Sequence, residues 1–204
     1  MFYNVLDKKR QAILPLLKSF KDDFYLAGGT ALALQIGHRS SVDFDFFSEK
    51  NIDPEKVFSV LSNVFKVHKI VKIREEENTL TVLIDEEILL SFFGYKYKLL
   101  KPALGEEYFN LASIEDIGCM KFSAIIGRRS NKDYIDLYYI LQMVRLRDLL
   151  EMAERKFPEI DGNLIVKNLV YFKDIEGPPV KFKNGNKITL KDVEKFMKRA
   201  VVSD

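Results

Sequence analysis

The chain has one cysteine, Cys119, two histidines, His38 and His68, and almost no net charge, with 32 basic residues against 30 acidic ones. Each shortage removes a class of protein. A lone thiol forbids an internal disulfide, and its place in an apolar, helix-like run marks it as a small buried residue. Two histidines and that cysteine do not make a convincing zinc site. No apolar run approaches the roughly 18 residues of a membrane span, and Met1-Phe2-Tyr3-Asn4 lacks the basic and apolar regions of a secretory signal. The expectation is therefore a cytoplasmic protein with no membrane partner. Because the charges nearly cancel, the overall field does not argue for a nucleic-acid partner, and any such role falls to local clusters. Internal repeats and low-complexity tracts are also missing.

What is present is apolar and aromatic. Hydrophobic residues make up 47% of the 204 residues, with 16 Phe and 9 Tyr, a globular composition that suits one domain or a domain with a smaller helical companion. Residues 4–20 carry Leu6, Ile13, Leu16, Leu17 and Phe20 at helical spacing, with Pro15 set to kink or restart the helix. Asp53-Pro54 reads as N-cap and first residue of an amphipathic helix holding Val57, Leu61 and Phe65. Extended segments follow at 67–73, 79–84 and 88–93 around acidic turns. With strands near Phe24 and Val42 this predicts an α+β fold with a mixed sheet of about five strands and helices chiefly on one face. From Pro102 the pattern becomes helical. Ser113 and Asp116 resemble a capping box, Tyr134, Leu137, Tyr138 and Leu141 line a second helix, and two further runs near 146–157 and 189–200 flank a loop containing Gly177-Pro178-Pro179 and Asn184-Gly185-Asn186. The expected division is an α/β core over 1–101 and a helical subdomain over 102–204 that completes a cleft.

The chain is organised around Phe24 to Ser48. Gly28-Gly29 follows an apolar run and precedes Thr30, read as the N-cap of a helix over 31–35 that Gly37 closes. Glycines there let a phosphate approach the backbone, and a helix start attracts anions. Val42-Asp43-Phe44-Asp45-Phe46 alternates with period two, which puts Val42, Phe44 and Phe46 on one face and both carboxylates on the other, roughly 6–7 Å apart. Such a pair suits Mg²⁺ (or Mn²⁺), which binds through one or two carboxylates, water and substrate phosphates. Taken singly, a Gly-Gly is most often a tight turn and an alternating acidic strand a solvated face.

Together, the Gly28-Gly29-Thr30-Ala31-Leu32 segment, the His38-Arg39-Ser40-Ser41 turn and the Asp43-Phe44-Asp45 strand resemble the abortive-infection (AbiEii/AbiGii-type) toxin family. That family is a minimal branch of the polymerase-beta-like nucleotidyltransferase superfamily. A second signature of the family resembles Lys121 to Leu137, a lysine, then arginines, then Lys132-Asp133-Tyr134-Ile135-Asp136. The resemblance implies a nucleotidyltransferase fold and the toxin half of a toxin–antitoxin pair, which moves an NMP from an NTP to an acceptor such as tRNA or another RNA. On this reading Asp43 and Asp45 bind the metal and Lys121 serves catalysis. Gly28, Gly29, Thr30, Arg39, Ser40, Ser41 and Arg128 form the nucleotide site. Asp133 and Asp136 either serve the site directly or hold basic residues, by pairing with Arg128 or Arg129. The basic C-terminal run, Lys181, Lys183, Lys187, Lys191, Lys195, Lys198 and Arg199, fits an RNA acceptor or an ordinary solvated face.

One position departs from the superfamily. Where a third carboxylate commonly stands on a later strand, this chain has Ser91, and a hydroxyl has neither the charge nor the basicity of an acid. Either one metal and Lys121 suffice, or Asp85, Glu86 or Glu87 substitutes, or the chain is a catalytically degenerate module that binds nucleotide, RNA or a protein partner. A dehalogenase-like phosphatase also uses an Asp-x-Asp strand, but there Thr or Val follows the second Asp, and here Phe46 does.

Overall fold

The computed structural model describes residues 1–203. After a 3-10 turn at Tyr3–Val5, helix α1 (Lys8–Leu17) begins at Asp7, whose carboxylate accepts the Arg10 N–H, and runs through Pro15 into a second 3-10 turn at Lys18–Phe20. Strand β1 (Tyr25–Ala27), helix α2 (Gly28–Ile36), strand β2 (Phe44–Ser48) and helix α3 (Pro54–Val64) follow. Then come β3 (Ile70–Glu76), β4 (Thr79–Ile84), β5 (Ile88–Gly94), β6 (Leu104–Gly105) and β7 (Asn110–Leu111). The chain ends in helices α4 (Ile114–Gly127), α5 (Asn131–Ile140), α6 (Leu146–Lys156), α7 (Gly162–Leu169) and α8 (Leu190–Ser203).

The sheet is mixed and has seven strands in the order β3-β4-β5-β2-β1-β7-β6. The two strands beyond the expected five are β6 and β7, each of two residues, too short to show alternation. Helix α7 is a further difference, its eight residues lying in what reads as a loop. Local signals elsewhere held. Asp53 caps α3 through the Glu55 and Lys56 N–H groups, Ser113 caps α4 through that of Asp116, and Gly37 ends α2 in the left-handed region at φ 69°.

Alternation on the strands divides the sheet into two faces. Phe44 and Phe46 of β2, Leu90 and Phe92 of β5, and Leu80 and Val82 of β4 are fully buried on one. Phe46 and Phe92 stack at 5.1 Å, Phe20 packs on both, and α3 lies against β3 and β4. Val42 does not join this face as expected. It precedes β2 and is 41% exposed, because the buried Arg10 grips its carbonyl at 2.5 Å and the Glu87 carbonyl at 2.8 Å, turning the chain before the strand begins.

A buried ion pair joins the two halves of the chain. Asp116 at the start of α4 accepts from the Leu100 and Lys101 N–H groups and from the ammonium of Lys156 on α6 at 2.8 Å, and Lys156 also donates to the Lys98 carbonyl at 2.6 Å. Both side chains are 0% exposed. Lys156→Ala therefore leaves an uncompensated buried carboxylate, a loss expected to be about 3–5 kcal/mol. Lys198→Ala, which breaks the exposed pair with Glu194, should cost less than about 1 kcal/mol. Urea denaturation of the two variants measures the contrast.

Candidate active site

Strand β1 ends at Ala27, directly opposite Asp45 of β2 in the antiparallel register. The chain then turns through Gly28, at φ +68°, straight into α2. A Cβ on Gly28 would stand 2.9 Å from Asp45 Oδ2, and one on Gly29 would stand 2.4 Å from Arg39 Nη2. Glycine is thus required at both positions for different reasons: backbone conformation and close approach at the first, close approach alone at the second. The acid and the glycine bend touch.

The expected role of Thr30 as N-cap is corrected by the structure. Helix α2 starts three residues earlier, at Gly28, its N-cap is Ala27, and no side chain caps it. A terminus without a side-chain cap offers its first N–H groups and positive dipole end to a ligand. The hydroxyl of Thr30 is turned inward, 2.7 Å from Ser41 Oγ and bonded to the Asp43 carbonyl, so it ties α2 to the approach to β2.

Asp43 and Asp45 face a cavity of about 480 Å³ whose wall includes Gly29, Thr30, Arg39, Ser40, Ser41, Lys121, Arg128 and Asp133. Asp45 lies in β2 and Asp43 one residue before it. Among the described residues neither of the two carboxylates makes a hydrogen bond or an ion pair. Burial, and then the charge of Asp43, push Asp45 up to about 6. Two unpaired carboxylates beside a free helix terminus are the donor set that a hard divalent cation fits. No group of three metal-ligating side chains gathers among the described residues, so the remaining ligands of such an ion would be water or phosphate oxygen.

The opposite wall is a buried charge network. Lys121 of α4 bonds Asp133 at 2.7 Å and Asp136 at 2.6 Å, both on α5. Arg39 clasps Asp136 with two parallel bonds of 2.7 and 2.8 Å, and His38 Nε2 reaches the same carboxylate at 2.8 Å. Burial alone would raise Asp136, but Lys121 and Arg39 outweigh it and hold the carboxyl well below the usual range. Asp133 is lowered in the same way, burial being opposed by Lys121 and Arg128. Burial lowers His38, which leaves the imidazole neutral and Nε2–H the donor to Asp136. Three permanent cations thus meet two carboxylates, and the surplus positive charge faces Asp43 and Asp45.

The pairing differs in part from expectation. Asp133 meets Arg128, but Asp136 turns inward to His38, Arg39 and Lys121, and Arg129 goes to Asp174 instead. Ser91 lies beside Asp45 in the parallel β2–β5 register, where its hydroxyl meets that of Thr81 at 3.3 Å. None of Asp85, Glu86 and Glu87 lines the cavity; they stand in the β4–β5 turn, paired with His68, Lys69 and Lys9. What the sequence did not reveal is a strap over residues 176–183. It hydrogen-bonds at one end through Glu176 to Arg129 and Asn131, and at the other through Lys181 to Ser40 and Lys183 to His38, so Pro178, Pro179, Val180 and Lys181 wall the cavity. The Pro-Pro pair was the visible signal, and it reads only as a loop.

A mixed sheet with a glycine-led helix start abutting an acid pair defines the nucleotidyltransferase fold. Structures that share it over most of their length include JHP933 from Helicobacter pylori, 16% identical with TM-score 0.60 over 97% of this chain and 92% of that one. Another is MenT4, a nucleotidyltransferase toxin from Mycobacterium tuberculosis H37Rv, 15% identical with TM-score 0.60 over 96% and 82%. An uncharacterized protein of Aquifex aeolicus (strain VF5) is 41% identical over 160 residues, 75% of each chain. The model of the AbiEii nucleotidyl transferase toxin family, of type IV toxin–antitoxin systems, matches residues 16–201, and the chain belongs to that family. Among the described residues no helix is long and apolar enough to cross a membrane.

The raised Asp45 carries a stability prediction. A carboxyl that ionises less readily in the folded state costs stability once it is charged. That cost is fully present above pH 6, shrinks as pH falls towards 4, and is gone when both states are protonated. Asp45→Asn should therefore stabilise the metal-free protein at pH 7, by about 1–2 kcal/mol after allowing for the open side of the cavity. The gain should vanish near pH 4, as read from thermal unfolding across pH.

Proposed function

We propose that the protein transfers a nucleoside monophosphate from an NTP to an acceptor hydroxyl and releases pyrophosphate. The observation that carries this reading is the pair of unpaired carboxylates that line one cavity, Asp43 and Asp45, with Asp45 against the uncapped start of α2 and both facing a wall with surplus positive charge. The N–H groups of Gly29 and Thr30, with Ser40 and Ser41, hold the polyphosphate. Asp43 and Asp45 hold Mg²⁺ or Mn²⁺, which when bound screens the phosphate charge and polarises the phosphoryl oxygens. Arg128, two-thirds exposed, and Lys121 face the charge that develops on the leaving group. Arg39 is committed to Asp136 and so positions Lys121 rather than following the ligand.

In the step itself the acceptor oxygen bonds to the α-phosphorus while the bond from that phosphorus to the bridging oxygen breaks. The electron pair leaves on pyrophosphate. With Ser91 beside Asp45, where a third carboxylate would otherwise stand, the acceptor proton passes to solvent. As a toxin of this family the chain acts on tRNA or another RNA in our reading, and an antitoxin opposes it. The family resemblance supports the RNA acceptor, and Lys132 and Lys181 on the cavity rim add positive charge where such a chain would enter.

Asp43→Ala and Asp45→Ala should each lower Mg²⁺-dependent NTP binding by more than tenfold with the fold intact, and abolish label transfer from α-³²P NTP to RNA. Retention of full Mg²⁺-dependent binding by the double variant would defeat the assignment. Ser91 favours a second reading, a non-catalytic module that keeps the nucleotide site. That reading predicts tight NTP binding with no transfer to any RNA pool.

A further inference from the structure

The cleft has a second chamber. It is a cavity of about 420 Å³ that shares Gly29, Asp45, Lys121 and Arg128 with the first, but its other walls include Phe47, Phe93, Tyr95, Met120 and Ser123. The strand period makes it. β2 and β5 run parallel, with Asp45 beside Ser91 and Phe47 beside Phe93, so two residues past the acid the same face becomes aromatic. The Phe47 and Phe93 rings lie 5.0 Å apart, and Tyr95 meets Phe47 edge-on at 5.3 Å. All three are only half-buried, whereas Phe46 and Phe92 on the opposite face are fully buried. Tyr25 also stacks on Phe47 at 5.9 Å, and Phe47 and Tyr95 pack in part on the core, so Phe93 is the ring that the core leaves to the chamber.

We infer that this chamber is the nucleobase subsite for the donor NTP, with the base stacked on the Phe47–Phe93 surface against Met120 of α4. The inference rests on the nucleotidyltransferase reading and extends it. The two chambers join at Asp45, one polar and cationic, the other aromatic. A nucleoside triphosphate matches both within a single molecule: an anionic tail, a phosphorus at the junction and a flat uncharged base. An acceptor strand fits the second chamber less well, because it would bring further phosphates there. The cations in that wall are Lys121 and Arg128, which on the nucleotidyltransferase reading already face the triphosphate and leave none for further phosphates. Base–aromatic stacking of this kind needs a ring face rather than a fixed hydrogen-bond pattern.

The test compares inorganic tripolyphosphate with ATP, CTP, GTP and UTP in equilibrium binding to the full chain with Mg²⁺. At least one NTP should bind more tightly than tripolyphosphate by roughly tenfold or more. Phe93→Leu, which keeps an apolar side chain but removes the ring, should erase most of that advantage. Phe93→Tyr should keep it, and tripolyphosphate affinity should stay the same in both. Met120→Ala, from the facing helix, should reduce the advantage independently, so that the inference remains testable if Phe93→Leu does not fold. An unchanged advantage in both Phe93→Leu and Met120→Ala overturns the subsite. So does loss confined to binding of a single-stranded oligonucleotide, which would place the acceptor's base there. If tripolyphosphate binds as tightly as every NTP, the base subsite falls and the phosphate site stands. If neither binds, the nucleotidyltransferase reading falls with it.

Discussion

The carboxylate of Asp136 is the point on which the molecule turns. It is fully buried and receives Arg39, His38 and Lys121, which come from the turn after α2 and from the middle of α4. A buried ion without partners would cost several kcal/mol, on the order of the whole stability of a domain. The fold is therefore held to the arrangement in which these three segments meet. That arrangement sets Arg39 against Gly29, orients Lys121 towards the cavity and brings the first half of the chain against the second. Asp116 and Lys156 repeat the device at the other end of α4.

Against this background the state of Asp43 and Asp45 gains meaning. The chain supplies six basic or imidazole groups, His38, Arg39, Lys121, Arg128, Lys132 and Lys181, to the neighbourhood of Asp133 and Asp136 or to the cavity rim, yet among the described residues none bonds the two acids of the β2 segment. The protein thus keeps two kinds of carboxylate within one cleft: one pair neutralised internally, which sets geometry, and one pair left without a partner. Raising Asp45 is the electrostatic cost of keeping it ready. The strap over 176–183 adds Pro178, Pro179, Val180 and Lys181 to the cavity wall, so the site is assembled from segments that lie far apart along the chain.

Much of this was legible in the sequence. The Gly28-Gly29 bend, the α3 and α4 caps, the left-handed Gly37 and the alternation of β2 were readable because each depends on neighbours within about four residues. The errors are equally local in origin. Thr30 is a good cap by residue type, but Ser41 and the Asp43 carbonyl compete for its hydroxyl, and both are beyond any local window. Val42 fits the apolar period of the strand, yet Arg10 holds its carbonyl from a helix more than thirty residues away. β6, β7 and α7 are too short for a period to register.

What the sequence determined by itself was the unit of bend, helix and paired acids, because capping, φ preference and strand alternation act through the nearest residues. Only the tertiary structure decided which acids would be bonded and which left open, what walls the cavity and that its second chamber is aromatic. Those outcomes depend on partners brought together from about a hundred residues apart, as His38 and Asp136 are, and no pattern in the sequence encodes which cation will reach which carboxylate first.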